Sequence, residues 1–109
     1  MRIFLNAWFE RFARKENISE ASLRDAVERA ESGRIDADLG GGVVKQRVAR
    51  AGQGRSGGFR TIILYLKSER AFFVYGFAKS DLANISGKDE AGFKKAAQHV
   101  FALTEDQLD

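Results

Sequence analysis

The sequence predicts an α+β fold in which helices pack on one face of an antiparallel sheet and leave the other face available. Three observations carry this reading: helical-period apolar stripes towards both ends, near-continuous apolar strands in the middle, and no alternation of strand with helix between them. At 109 residues, with 44% hydrophobic and 11% aromatic content, there is room for a single domain spanning 1–109 around one core.

Arg2-Ile3-Phe4-Leu5 reads as a short strand. Asn6 is placed to cap a first helix over residues 7–16, whose apolar side is Trp8, Phe9, Phe12 and Ala13. Ser19 caps a second helix, where Leu23, Ala26, Val27 and Ala30 follow i, i+3, i+4, i+7 spacing and Gly33 supplies the stop. These two helices are expected to pair as a hairpin. Gly40-Gly41-Gly42 ends the helical period, and a strand over 43–49 then alternates, with Lys45 and Arg47 on one face and Val44, Gln46 and Val48 on the other. Residues 59–66 and 71–77 are apolar strands joined by the polar turn Lys67-Ser68-Glu69-Arg70, which makes an antiparallel meander. Ser86 and Asp89 have cap spacing before a last helix over 88–102, built on Phe93, Ala96, Ala97 and Val100, and a further cap signal falls on 104–107. Gly52-Gln53-Gly54-Arg55-Ser56-Gly57 has G-x-G-x-x-G spacing but lies between strands and opens no helix, so it reads as a strand connection and not as a dinucleotide site.

Charge is concentrated in the middle of the chain. From Gly42 to Lys79 there are eight basic residues (Lys45, Arg47, Arg50, Arg55, Arg60, Lys67, Arg70 and Lys79) against one acidic, Glu69. The segment before it has seven against eight, and the one after it three against six. A cationic stretch without its own carboxylate partners suits a phosphate-rich ligand, nucleic acid first among them.

Composition narrows the chemistry. With no Cys there is neither a disulfide framework nor a thiolate metal site, which fits a reducing cytoplasm. No apolar run approaches the ~20 residues of a membrane span, and the first fourteen residues lack a signal-peptide pattern. Glu69 alone cannot build the carboxylate cage of a metal-dependent nuclease, and a lone His99 excludes a histidine acid–base pair. Lys and Arg remain for phosphate chemistry: guanidinium groups can stabilise developing phosphorane charge, and a Lys can serve as base where neighbours lower its pKa of ~10.4 by about three units. Lys45, Arg47 and Arg60 could supply such a cluster; spacing alone favours a solvated sheet face or a docking surface for an acidic protein. Tyr75, Phe72, Phe73 and Phe77 are expected in the core more than as a base-stacking platform.

Three stretches also carry a family likeness: Asp36-Ala37-Asp38-Leu39-Gly40-Gly41-Gly42-Val43-Val44-Lys45-Gln46-Arg47-Val48-Ala49-Arg50, then Gly54-Arg55-Ser56-Gly57-Gly58-Phe59-Arg60-Thr61, then Phe73-Val74-Tyr75-Gly76-Phe77-Ala78-Lys79-Ser80. The chain resembles the RelE/ParE superfamily of bacterial toxins, and within it the HigB-like branch of type II toxin-antitoxin systems. The resemblance implies a RelE-like fold, an antiparallel sheet flanked by an N-terminal helix pair and a C-terminal helix. It implies cleavage of messenger RNA in the ribosomal decoding site, without metal or cofactor, by attack of a ribose 2′-hydroxyl on the adjacent phosphate. A cognate antitoxin, a helix-turn-helix protein, would neutralise it in the cytoplasm. Carried over by position, Lys45 falls to the general base, Arg47 and Arg60 to the scissile phosphate, Lys79 to the leaving 5′-oxygen, and Arg50 and Arg55 to RNA binding. RelE-type enzymes place a catalytic Tyr near the C-terminus, whereas here no Tyr follows Tyr75. The alternatives are a ParE-like inhibitor of DNA gyrase, or a non-catalytic module that binds RNA or an antitoxin.

Overall fold

The computed structural model of the chain describes residues 1–50, 54–78 and 86–108. The order of elements is β1 (Arg2–Leu5), α1 (Ala7–Lys15), α2 (Glu20–Glu31), β2 (Ala37–Gly40), β3 (Val43–Arg50), β4 (Gly54–Leu66), β5 (Arg70–Ala78), α3 (Gly87–Phe101) and α4 (Glu105–Leu108). Among the described residues the strands form one five-stranded sheet in the order β1-β5-β4-β3-β2. The central pairings are antiparallel, whereas β1 joins the edge parallel to β5, with Ile3 opposite Ala71 and Leu5 opposite Phe73.

The helix starts follow the cap chemistry. Asn6 Oδ1 accepts from the Phe9 N–H at 2.8 Å, Ser19 Oγ from Ser22 N–H at 3.1 Å, and Ser86 Oγ from Asp89 N–H at 3.1 Å, each satisfying an otherwise unpaired donor of the first turn. On one face of the sheet, α1 and α2 bury Phe9, Ala13, Leu23, Ala26, Val27 and Ala30 against Val44, Val48, Ile63 and Phe73. Gly76 makes the close approach of α1 possible. A Cβ there would meet Phe12 Cε2 at 2.7 Å and Phe9 Cε2 at 3.2 Å.

The opposite face is not wholly open, contrary to the expectation of helices on one side only. α3 crosses it, and Ala97, Phe93, Val100 and Phe101 pack on Val43, Ile62, Leu64 and Phe72. This second core exists because β4 and β5 are apolar on both faces, and a strand of that kind must be covered twice. Gly42 is the fulcrum at the β2–β3 turn: its φ is +83°, and a Cβ would meet Phe101 Cε2 at 2.3 Å. Arg70, expected in a turn, instead begins β5 and is buried, where its Nη1 donates to the carbonyls of Val100 (3.1 Å) and Leu103 (2.8 Å) at the end of α3. No helix among the described residues is long and apolar enough to cross a membrane.

Two further differences follow from weak strand residues. β2, with sequence Ala-Asp-Leu-Gly, is short and poor in β-formers, and sequence pattern alone does not reveal it. The glycine-rich stretch read as a connection contributes residues 54–58 to β4, where Gly54 pairs with Arg50 across a register shift.

Candidate functional site

Strand alternation puts Lys45 and Arg47 on the same side of β3. Register puts Arg60 of β4 directly opposite Arg47, Ile62 opposite Lys45, and Ala37 of β2 on the other flank of Lys45. α3 covers the Ile62 end of this face; at the other end Asp36, Ala37, Lys45, Arg47 and Arg60 line a groove of about 350 Å³. Lys45 and Arg60 are half-buried and Arg47 is exposed, so the cluster combines solvent access with partial desolvation. Arg60 Nη1 is buried and has no hydrogen-bond partner among the described residues. A buried guanidinium donor without an acceptor is costly.

The groove is braced from below by residues that sequence reasoning missed. Asp36, between α2 and β2, accepts from the Arg47 backbone N–H at 2.7 Å through Oδ2 and from Arg47 Nη2 at 3.1 Å through Oδ1. The buried Arg29 of α2 reaches Asp36 Oδ2 with Nη1 at 3.4 Å, pairs with Asp25 at 3.1 Å through Nε, and donates Nη2 to the Arg47 carbonyl. Gln46, fully buried on the helix side, accepts the Asp36 N–H at 2.6 Å and donates to the Ala26 carbonyl at 2.9 Å. Burial pushes the Asp36 carboxyl upward, yet the Arg47 amide and guanidinium, with Arg29, outweigh it and hold the carboxyl below its usual range. The one available signal was Asp36 standing seven residues after Arg29 and eleven before Arg47. Those spacings would suit one helix face, but the three residues lie on a helix, a loop and a strand, so only the fold brings them together.

The remaining candidates are placed elsewhere. Arg50 falls on the α1 side by alternation, exposed, with its guanidinium 5.2 Å from the centroid of the Phe59 ring. Arg55 belongs to β4, and its side chain, like the whole of Lys79, lies outside the described residues. His99 is exposed on α3. Phe73 and Phe77 are buried, while Tyr75 is half-buried and stacks on Trp8 with centroids 4.7 Å apart. Among the described residues no three His, Cys, Asp or Glu side chains gather in a way that could hold a metal ion.

Two arginines stand opposite one another on adjacent strands, with a lysine two residues along the same face, a set of donors of the kind that suits a phosphodiester. A comparison with curated proteins returns no match. Residues 1–109 match the family model described as RelE toxin of the RelE / RelB toxin-antitoxin system. The chain belongs to this RelE toxin family, whose members are translation-inhibiting toxins that generally cleave messenger RNA and are paired with an antitoxin.

Proposed function

We propose that this chain is a ribosome-dependent, metal-independent endoribonuclease of the HigB-like branch, which cuts messenger RNA in the decoding site. The observation that carries the proposal is the Arg47–Arg60 pair beside Lys45 in one groove, with a buried Arg60 donor that lacks a partner among the described residues. Lys45 takes the proton of the ribose 2′-hydroxyl; the O2′–P bond forms as the P–O5′ bond breaks. Arg47 and Arg60 carry the charge that builds on the non-bridging oxygens, at a site where donors need no reorganisation. Lys79, in its ammonium form, gives a proton to the departing 5′-oxygen. Arg50, exposed at the end of β3, and Arg55 of β4 add positive charge that draws RNA towards the protein. The products are a 2′,3′-cyclic phosphate and a 5′-hydroxyl.

The ribosome supplies what the groove lacks. Without a histidine acid–base pair, the rate depends on alignment of the 2′-hydroxyl with the phosphorus, and alignment by a template can contribute several kcal/mol, on the order of 7 at the lower end. A cognate helix-turn-helix antitoxin in the cytoplasm covers the cationic groove or blocks entry to the ribosome. The test is primer extension on message with and without programmed ribosomes, both in excess chelator. Cuts confined to the ribosome-containing arm support the proposal. Intact message, together with an early DNA-damage response in induced cells, would replace it with a ParE-like action on gyrase.

A further inference from the structure

Arg47 presents a long side chain that is 45% exposed, and a guanidinium of that kind ordinarily samples many rotamers. Here it does not stand alone. Asp36 holds it at two points, the backbone N–H at 2.7 Å and Nη2 at 3.1 Å. Asp36 is in turn tied to Gln46 Oε1 through its own N–H at 2.6 Å and to Arg29, whose side chain is 5% exposed. Arg29 closes the loop by donating to the carbonyl of Arg47 itself. The bridge therefore runs from the core of α2, through the loop before β2, to the groove side of β3.

We propose that Asp36 is a positioning residue for RNA cleavage, fixing the Arg47 guanidinium in the groove it shares with Lys45 and Arg60. This rests on the nuclease reading above. Asp36 touches Arg47 and not the reacting atoms, so its effect is transmitted through Arg47. Its carboxylate also offsets part of the positive charge of the groove, which limits how tightly the ground-state phosphate is held and leaves the gain for the transition state. Loss of Asp36 then slows the chemical step without weakening association with RNA.

The experiment is a double-mutant cycle of Asp36→Asn and Arg47→Ala, read as single-turnover cleavage of message on programmed ribosomes. Asp36→Asn keeps an acceptor for the Arg47 N–H but loses the charged grip on Nη2. The expected result is a rate at saturating toxin at least about tenfold lower, with the half-saturating toxin concentration no higher than the parent's. In the Arg47→Ala background the same substitution should add no further loss, since the group it acts through is gone. A rate equal to the parent's overturns the proposal, and so does an equal loss in both backgrounds. Nuclear magnetic resonance of the unaltered protein gives a second reading that needs no variant to fold. The Arg47 Nη protons should give separate signals, because Asp36 restrains rotation of the guanidinium; a single averaged signal overturns the proposal. A parent that binds programmed ribosomes without cutting message removes the nuclease reading and the positioning role together. A cutting parent with an equally fast Asp36→Asn variant removes the positioning role alone.

Discussion

Replacing Arg60 with Met should separate function from stability. In the free protein Arg60 Nη1 is buried without a partner among the described residues, and a buried donor left unsatisfied costs ~1–3 kcal/mol. Met retains a long unbranched stem opposite Phe77 while removing that donor. The free energy of unfolding should therefore stay level or rise by as much as ~2 kcal/mol. At ~4 °C per kcal/mol for a domain near this size, the thermal midpoint would be unchanged or higher by up to roughly 8 °C. Cleavage should fall ~100-fold or more, since one transition-state donor is lost, worth ~2.7 kcal/mol or above. Thermal unfolding followed by circular dichroism and single-turnover cleavage on programmed ribosomes measure the two effects on the same preparation. A midpoint lower by several degrees would show that Arg60 holds the fold, and a rate within about threefold of the parent would show that it does not serve the chemistry.

Other consequences are equally open to measurement. Gly76→Ala forces a methyl group into the Phe12 and Phe9 rings, so denaturant unfolding should show a loss of ~1–3 kcal/mol; an unchanged midpoint would mean that α1 has room to shift. Glu31 accepts from the Tyr65 hydroxyl and from the Ser68 N–H at 2.9 Å, which hold its carboxyl below its ordinary value, and Asp36 is depressed too. Both contributions are complete above the unfolded carboxylate values near ~4 and vanish as pH falls through the folded ones. Stability should therefore decline with acid below about pH 4, and Glu31→Gln should flatten that decline; parallel pH profiles for parent and variant would refute the assignment. With eight basic residues against one acidic between Gly42 and Lys79, antitoxin association in stopped flow should slow as salt rises; a salt-independent rate would rule out charge steering.

Local chemistry made much of the fold legible. Asn6, Ser19 and Ser86 announce their helices through the hydrogen bonds they can make, and each cap is found in place. Alternation in β3 separates Lys45 and Arg47 from Val44, Gln46 and Val48, and the sheet keeps that division. What stayed hidden depends on contacts distant in sequence. The parallel docking of β1 on β5 joins residues nearly seventy positions apart, and the cover over the second sheet face comes from α3. Arg70 looks like one more member of the cationic segment, yet it is spent on the carbonyls that end α3. Gly54 to Gly58 lack strand propensity and join β4 through pairing with β3 and the register shift near Arg50. In the groove, the Lys45, Arg47 and Arg60 grouping could be anticipated because period and register are regular. The Arg29 and Asp36 brace could not, because it crosses from helix to loop to strand.

If the groove drives attack by a ribose 2′-hydroxyl on ribosome-bound message, removing that hydroxyl must abolish cleavage. Programmed ribosomes would carry a message with a single 2′-deoxynucleotide on the 5′ side of the mapped cut, beside an all-ribose control. The control should be cut to a 2′,3′-cyclic phosphate and a 5′-hydroxyl, and the deoxy position should stay intact. Equal cleavage of both messages would contradict this, since the nucleophile would then be water and the Lys45, Arg47 and Arg60 groove would have no 2′-hydroxyl to activate.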